Sequence, residues 1–369
     1  MSISSVWRCA LPARLASLAL ALWLPVLALL LPTPTLGAPA PLQFPQDFGA
    51  HPEFQTEWWY VTGWLERPKQ QSIGFQITFF RSATGHDNQN PSRFAPKQLL
   101  FAHAALTEPQ VGHLLLAQKR AREGFDIAQA KVGDTQLKLD DWHLTRLPDG
   151  RYQAEVHCPE FDLVLALQPR QPVLLQGEQG YSRKGPNPLA ASFYYSEPQL
   201  AVSAELQRRG KHSSLQGVAW LDHEWANQVV DPDGSGWDWL GVNLDDGSAL
   251  MAFQMRAKDG KKLWANASLR DAAGKMTQYG PQQVSFMPEQ YWTSPRTGVR
   301  YPVAQKLQLQ NANGMQSWRT EPLQTDQELD ARFSTGILYW EGAINLWQNG
   351  KIRGLGYLEM TGYDKAVQL

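Results

Sequence analysis

Short runs in which apolar and polar residues alternate recur along most of the chain, and this pattern constrains the fold more than any other feature. Typical runs are EWWYVTGWLE at 57–66, IGFQITFFRS at 73–82 and FDLVLALQP at 161–169. Turn-forming residues such as Pro148-Asp-Gly150 separate the runs. Alternation with a period of two indicates half-buried β-strands, so the chain is predicted to be all-β.

The second half of the chain continues this pattern with two hairpin signatures. Trp237–Leu244 and Ala249–Arg256 flank an Asp-Asp-Gly turn, and an Asn-Gly turn joins the long closing pair Gly336–Trp347 and Lys351–Thr361. Short strands at regular spacing predict a sandwich or barrel. The least sheet-like stretch is 108–130, within which Ala117–Phe125 is predicted to form one or two helical turns.

Residues 1–38 have the layout of a secretory signal peptide. Arg8 and Arg14 precede the apolar run Leu15–Leu31, and small residues follow at the expected cleavage site near Ala38. An uncleaved membrane anchor is the alternative, although Pro25 interrupts the run and its length is near the lower limit for a span. The protein is therefore expected to be secreted or periplasmic.

The remaining chain is expected to form two domains, at 41–228 and 229–369, because Asn227–Gly236 breaks the strand pattern. Loss of the two leader arginines takes the net charge from −1 to −3, which gives no basic excess for nucleic acid. Cys158 is the one cysteine left, so the fold must stand without an internal disulfide.

The stretch GVAWLDHEW at 217–225 places ionisable residues between two tryptophans. On a strand, alternate residues share a face, which gives the sets Trp220, Asp222, Glu224 and Leu221, His223, Trp225. If the second set lines an apolar cavity, His223 is a polar tip within it. The alternative is that His223 bonds a backbone carbonyl of a neighbouring strand.

Two further stretches combine acids with indoles. In EWWY, Glu57 and Trp59 face one way and Trp58 and Tyr60 the other, either as core anchors or as a ligand platform. Asp238 lies between Trp237 and Trp239, where an indole-packed carboxyl would have a raised pKa, unless it is exposed opposite a buried Trp pair.

Asp246, just before Gly247, is expected by default to serve the turn. Adjacent Asp, His and Glu residues point to opposite strand faces, so no metal site is predicted. The sequence also contains no phosphate or dinucleotide fingerprint, so no cofactor is predicted.

Six strings occur in order over nearly the whole chain and together resemble the AttH-like and carotenoid 1,2-hydratase (hydroxyneurosporene synthase) superfamily. They are EWWYVTGWLE, GEQGYSRKGP with ASFYYSEPQL, GVAWLDHEW, WDWLGVNLDDG, YWTSPRTGVRYPV and YWEGAINL with GLGYLEMTGY. The resemblance implies two lipocalin-like antiparallel β-barrels in tandem, with an apolar pocket near their junction.

The hydratase branch adds water to a terminal double bond of an acyclic carotene without a cofactor, through a carboxylic acid that protonates the alkene. By this resemblance, His223 and Trp225 match a His-x-Trp element, and Asp238 or Asp246 would be the acid. The hydratase pattern has a Tyr two residues before the acid, whereas Leu244 precedes Asp246 here. The AttH-like branch carries signal peptides and accompanies ABC transporter permeases, which fits this chain better.

The predicted function is therefore extracytoplasmic binding of a hydrophobic or amphipathic small molecule, as an accessory to an ABC transporter permease and with peripheral membrane contact as a further option. A hydratase and a scaffold without a ligand are the alternatives. The predicted ligand-binding residues are Glu57, Trp59, Tyr60, Tyr194, Asp222, Trp225, Trp237, Trp239 and Trp340, and the catalytic candidates are His223, Asp238 and Asp246.

Overall fold

Two antiparallel β-sheets make up the computed structural model, which describes residues 40–67, 70–86, 90–92, 94–312 and 314–367. One turn of 3-10 helix at Gln46–Phe48 is the helical element of these ranges. No helix within them is long and apolar enough to cross a bilayer. The predicted signal peptide at 1–38 lies outside the described residues.

The first sheet is built from the N-terminal thirteen strands. They are β1 (Thr56–Glu66), β2 (Ile73–Ala83), β3 (Gln98–Thr107), β4 (Leu114–Arg122), β5 (Ala128–Ala130), β6 (Gln136–Leu139), β7 (Trp142–Arg146), β8 (Tyr152–His157), β9 (Asp162–Gln168), β10 (Leu174–Leu175), β11 (Tyr181–Arg183), β12 (Ala191–Arg208) and β13 (Lys211–Gln228). Their order is β4-β3-β2-β1-β13-β12-β9-β8-β7-β6-β5, with β10 and β11 also paired to β12. Because β3 and β4 come back beside β6, this sheet curls nearly into a barrel.

The second sheet is built from the ten strands that follow. They are β14 (Gly234–Leu244), β15 (Ala249–Ala257), β16 (Lys262–Arg270), β17 (Met276–Tyr279), β18 (Val284–Thr293), β19 (Arg300–Asn311), β20 (Gly314–Pro322), β21 (Glu328–Ala331), β22 (Ile337–Gln348) and β23 (Lys351–Thr361). Their order is β17-β16-β15-β14-β23-β22-β20-β19-β18, with β21 paired to β22. The predicted all-β class with two antiparallel sheets is confirmed.

The helical turns predicted at Ala117–Phe125 are wrong, because β4 occupies most of this segment. Strand β4 pairs with β3 along its whole length, and no described strand is hydrogen-bonded to its other side. An edge strand leaves much of its surface in water, and charged residues such as Lys119 and Arg120 suit it. Pairing with β3 decides the structure here, not the local composition.

Alternation along the strands divides the apolar side chains among separate cores. On β1, Trp59 and Val61 point into the core of the first sheet, whereas Tyr60 and Trp64 point into a core between the two sheets. The second sheet has its own core, which includes Trp340. The face assignments predicted for EWWY are therefore confirmed, and both faces of β1 are buried.

The two sheets approach closely at the core that they share. Gly74 lies at this contact, where an added Cβ would stand 2.5 Å from the Ala343 Cβ and 2.8 Å from the Tyr357 hydroxyl, so a larger residue does not fit. The Trp64 indole N–H donates to the carbonyl of Gly356 at 3.0 Å. From Ala40 onward the sheets belong to one compact unit.

Candidate functional site

A cavity of about 90 Å³ lies between the two sheets. The first sheet contributes mainly aromatic and polar side chains from β1, β2 and β13, which are Trp58, Tyr60, Phe80, Asp222 and Glu224. The second sheet contributes Trp237, Trp239, Phe253, Tyr339, Glu341 and Glu359. The cavity therefore joins an aromatic wall to four carboxyl groups, and both sheets are needed to form it.

Strand register explains why acids and aromatics meet in this cavity. Directly opposite residues of antiparallel strands share a face. Tyr60 on β1 lies opposite Asp222 on β13, and on β14 and β23 Trp239 lies opposite Glu359. Each sheet thus presents carboxyl groups beside aromatic rings on the face that it turns toward the other sheet.

Glu341 and Glu359 form a directly opposed pair of buried acids on β22 and β23. Burial raises the pKa of Glu341 well above its ordinary value, and the nearby Glu359 carboxyl raises it further. Burial also raises the pKa of Glu359, although the Trp237 indole N–H, which donates to it at 2.9 Å, acts in the opposite direction. Two carboxyls in one dry site resist losing both protons, so at least one of the pair stays protonated near neutral pH.

A β-bulge creates this pair. The turn at Asn349-Gly350 pairs Gln348 with Lys351, and an unbroken ladder would then place Leu358 opposite Glu341. Arg353 is the extra residue of a bulge in β23, so the register shifts by one and Glu359 takes that position. Without the shift Glu341 and Glu359 would lie on opposite faces of the sheet.

Two atoms that line the cavity make no well-formed hydrogen bond with the described residues. They are the Glu341 Oε1 oxygen and the Tyr60 hydroxyl, and both residues are at most 5% exposed. The Tyr60 and Tyr339 hydroxyls lie close enough to the Glu341 carboxyl to oppose the rise of its pKa, but they are neutral and poorly aligned with it. A buried polar atom without a good partner loses about 1–3 kcal/mol, so a bound molecule that supplied a better partner to either group would be stabilised.

The other two acids of the cavity have partners. Asp222 accepts hydrogen bonds from the Tyr194 hydroxyl at 2.7 Å, the Ser196 hydroxyl at 2.6 Å and the Trp220 indole N–H at 2.6 Å. Burial nevertheless raises the pKa of Asp222 to about 7. Glu224 pairs with the Lys184 ammonium at 2.7 Å, and both side chains are almost fully buried.

Glu57 and His223 lie in a second buried cluster, inside the curl of the first sheet. Glu57 accepts hydrogen bonds from Arg81 Nε at 2.7 Å, His51 Nδ1 at 2.8 Å and His223 Nε2 at 2.9 Å. Burial alone would raise the pKa of Glu57, but the hydrogen bonds from His223 and His51 lower it to about 2. Burial lowers the pKa of His223 to about 4, so the ring is neutral and accepts a hydrogen bond from Tyr195.

The placement of His223 differs from both sequence expectations. Its partners are the side chains of Glu57 and Tyr195 and the backbone of Asp47, which lies in the 3-10 turn and not on a neighbouring strand. The ring stacks on Trp59 in the first core instead of lining the junction cavity. Trp225 lies in the same core, with the His51 ring stacked on it at 3.7 Å.

His51, Glu57 and His223 offer donor atoms within 4.8 Å of one another, a spacing that a metal ion could use. The guanidinium of Arg81 already neutralises the carboxylate of Glu57. A divalent ion would add positive charge beside this buried cation, which is unfavourable. We therefore assign the cluster a structural role in the first sheet.

The proposed acids of the hydratase pattern lie away from the junction cavity. Asp238 is buried, which raises its pKa, but its carboxylate pairs with Arg256 at 2.6 Å and accepts from the Tyr363 hydroxyl at 2.9 Å. The alternative that Asp238 is exposed is wrong. Asp246 is exposed in the turn, where its carboxylate accepts from the Ser248 backbone N–H at 2.9 Å.

The predicted ligand-binding residues lie in four different places. Tyr60, Asp222, Trp237 and Trp239 line the junction cavity. Tyr194 lies behind it, where its hydroxyl accepts from the Trp239 indole at 3.0 Å. Glu57, Trp59 and Trp225 lie in the first sheet's core, and Trp340 lies in the second, with its indole bonded to the Thr325 carbonyl.

Glu341 and Glu359 are not among the site residues predicted from the sequence. The available signal was a single acid in each of two otherwise apolar strands, ILYWEGAINLW and GYLEMT. Because burial of such an acid is rarely tolerated without a partner or a function, each glutamate was by itself a candidate functional-site residue. Their meeting could not be predicted, since it depends on the bulge at Arg353.

The protein is thus an all-β protein in which two antiparallel sheets form a cavity where they meet. Residues 35–363 match the AttH-like family, and the chain belongs to that family. The structure of a putative AttH from Nitrosomonas europaea is similar, with 51% identity, a TM-score of 0.81 and coverage of 88% of this chain and 98% of that chain.

Two more distant structures share the fold alone. Kievitone hydratase from Nectria haematococca is 12% identical with a TM-score of 0.65, and the match covers 87% of this chain and 93% of that one. CghA with Sch210972 is 11% identical with a TM-score of 0.54, covering 84% of this chain and 88% of that one. No curated protein matches this chain.

Proposed function

We propose that this AttH-like protein binds a hydrophobic or amphipathic small molecule in the cavity between its two sheets. The observation that carries the proposal is an aromatic cavity in which the Glu341 Oε1 oxygen and the Tyr60 hydroxyl make no well-formed hydrogen bond with the described residues. Sites for small molecules are concave and mostly apolar, with a few polar groups that orient the ligand.

A binding titration with an uncharged fluorescent amine, N-phenyl-1-naphthylamine, tests this proposal. Thr335 is a partly buried residue of the cavity wall, so Thr335→Trp should fill the cavity and reduce the affinity at least tenfold. Thr293→Trp, at an exposed position on β18, is the matched control and should leave binding unchanged. Equal affinity in both variants, or no binding by the unmodified protein, would contradict the proposal.

The Glu341–Glu359 pair supports a second candidate function, acid-catalysed addition of water to a terpenoid carbon–carbon double bond. A protonated carboxyl would give its proton to the alkene, and water would then bond to the resulting tertiary carbocation. The water would return one proton to the carboxylate, so the net change is the addition of one water molecule. The indole faces of Trp237 and Trp239 would stabilise the cation.

Incubation with an acyclic carotene in isotopically labelled water tests the second candidate. Glu341→Gln and Glu359→Gln should lower turnover by about 100-fold or more while substrate binding persists. Asp259→Asn, in an exposed hairpin turn, is the matched control and should retain turnover. Loss of turnover in Asp238→Asn or Asp246→Asn, with turnover retained in the glutamate variants, would assign the acid to those aspartates instead.

We also propose that the protein works outside the cytoplasm as an accessory to an ABC transporter permease, in peripheral contact with the membrane. The signal-peptide layout of residues 1–38 and membership of the AttH-like family support this proposal. Cell fractionation with sequencing of the mature N-terminus tests the location, and co-purification with a permease tests the partner. A full-length chain in the cytoplasm would contradict the location.

A further inference from the structure

The junction cavity contains more acidic groups than the protein neutralises. Four carboxyls line it, and Lys184 is the one Lys or Arg among its described lining residues. The Lys184 ammonium is already paired with Glu224 at 2.7 Å. No Lys or Arg in the described part of the chain forms an ion pair with Glu341 or Glu359.

The paired acids therefore leave an uncompensated negative charge when one of the two carboxyls ionises. Glu359 receives a hydrogen bond from the Trp237 indole, and the groups beside the Glu341 carboxyl are the hydroxyls of Tyr60 and Tyr339, none of which carries a positive charge. A buried carboxylate without a cation is strongly disfavoured, since removal of charge from water is costly. A positively charged ligand group would supply the missing partner.

The aromatic wall of the cavity suits the same kind of group. Trp58, Trp237 and Trp239 present indole rings to the cavity together with Tyr60 and Phe80. Indole and phenol faces attract ammonium groups, and aromatic cages are a common site for quaternary ammonium ligands. An anionic ligand would meet four carboxyls and a lysine that is already paired, so it is disfavoured.

We propose that the ligand is an alkylammonium amphiphile whose cationic head lies between Glu341, Glu359 and the indoles of the cavity. This inference rests on the proposed function, because it names the class of molecule that the junction cavity binds. The alkyl portion would lie along the aromatic wall, and the head would neutralise the ionised member of the glutamate pair. Cation–π contacts in a desolvated site contribute about 2 kcal/mol, which is a roughly 30-fold preference over an uncharged head.

Three compounds with the same ten-carbon chain test the inference by tryptophan fluorescence, below their micelle concentrations. They are decyltrimethylammonium, decanol and decanoate. Decyltrimethylammonium should bind about 10- to 30-fold more tightly than decanol, and decanoate should bind least. Glu341→Gln and Glu359→Gln should remove most of this preference, whereas Asp259→Asn, in an exposed turn, should leave it intact.

The preference for decyltrimethylammonium over decanol should also increase from pH 6 to pH 9. The raised pKa values of Glu341, Glu359 and Asp222 keep these acids protonated, and therefore uncharged, at the lower pH. The other titratable groups that face them are Glu224, Lys184, Tyr60, Tyr194, Tyr339 and Tyr357.

The inference would be overturned if decanol or decanoate bound more tightly than decyltrimethylammonium, or if the preference for decyltrimethylammonium persisted in both glutamine variants. The proposed function would stand in either case. Failure of all three compounds and of the uncharged fluorescent amine to bind would overturn both.

Discussion

Two clusters in this protein each contain a buried glutamate, but the pKa of the glutamate is lowered in one cluster and raised in the other. Glu57, inside the first sheet, is fully buried, yet its pKa falls to about 2 because charged and polar donors surround its carboxylate. Glu341, in the junction cavity, is equally buried, and its pKa rises well above the ordinary value. Burial is nearly the same in the two places, so the neighbours make the difference: hydrogen-bond donors surround Glu57, whereas a second carboxyl lies beside Glu341.

Glu57 therefore has a structural role, whereas Glu341 is available to interact with a ligand. Glu57 has the Arg81 guanidinium and two histidines as partners, so a ligand would have nothing to add. Glu341 has Glu359 opposite it, no cation beside it and an oxygen atom that makes no well-formed hydrogen bond among the described residues. Unsatisfied buried groups need an explanation, and binding or catalysis at the junction provides one here.

The largest expected effect comes from the same substitution made in the two clusters. Glu57→Gln should lower the free energy of unfolding by about 3–5 kcal/mol, because it leaves the Arg81 cation buried without its partner. Glu341→Gln should change it by less than about 1 kcal/mol, or raise it, because it relieves the repulsion within the acid pair. Denaturant unfolding of both variants measures the difference, and losses of equal size would show that the two clusters are not distinct.

Stability should be greatest at an intermediate pH. The contribution of the Glu57 cluster is lost on the acidic side of this maximum, and the contribution of the junction acids is lost on the alkaline side. The lowered pKa of Glu57 stabilises the fold above its ordinary pKa of 4.5, and this contribution of about 3 kcal/mol is lost as the pH falls toward 2. The raised pKa values of Asp222, Glu341 and Glu359 stabilise the fold at low pH, and this contribution is lost as the pH rises from about 4 past 7.

Unfolding measured from pH 3 to pH 9 checks this expectation. Glu57→Gln should flatten the acidic limb and Glu341→Gln the alkaline limb. A wild-type stability that increases steadily up to pH 9 would contradict the assignment of raised pKa values to the junction acids.

The smallest expected effect distinguishes two tyrosine hydroxyls of the junction. Tyr194→Phe should lower stability by about 1–3 kcal/mol, since Asp222 and the Trp239 indole each lose a buried hydrogen bond. Tyr60→Phe should change it by less than about 0.5 kcal/mol, because the Tyr60 hydroxyl makes no well-formed hydrogen bond in the described structure. Thermal unfolding of the two variants compares them, and a larger loss for Tyr60→Phe would mean that its contact with the Glu341 carboxyl is a full hydrogen bond.

Strand alternation allowed the sequence to determine the all-β class and the faces of its motif strands. The period of two in EWWY separated Trp59 from Tyr60, and the structure places these residues in different cores. The Asn-Gly turn likewise predicted the hairpin of β22 and β23, in which Asn349 and Gly350 both have positive φ angles. These features depend on neighbours in the chain, so local chemistry is enough to predict them.

Tertiary structure alone decided which acids share a site. A bulge of one residue at Arg353 turns Glu359 toward Glu341, and a contact between sheets closes the cavity around them. The same kind of long-range pairing places His223 beside Glu57, far away in the sequence, instead of in the cavity. A register shift of one residue moves a side chain to the other face of a sheet, and the energies that fix it come from packing between distant strands.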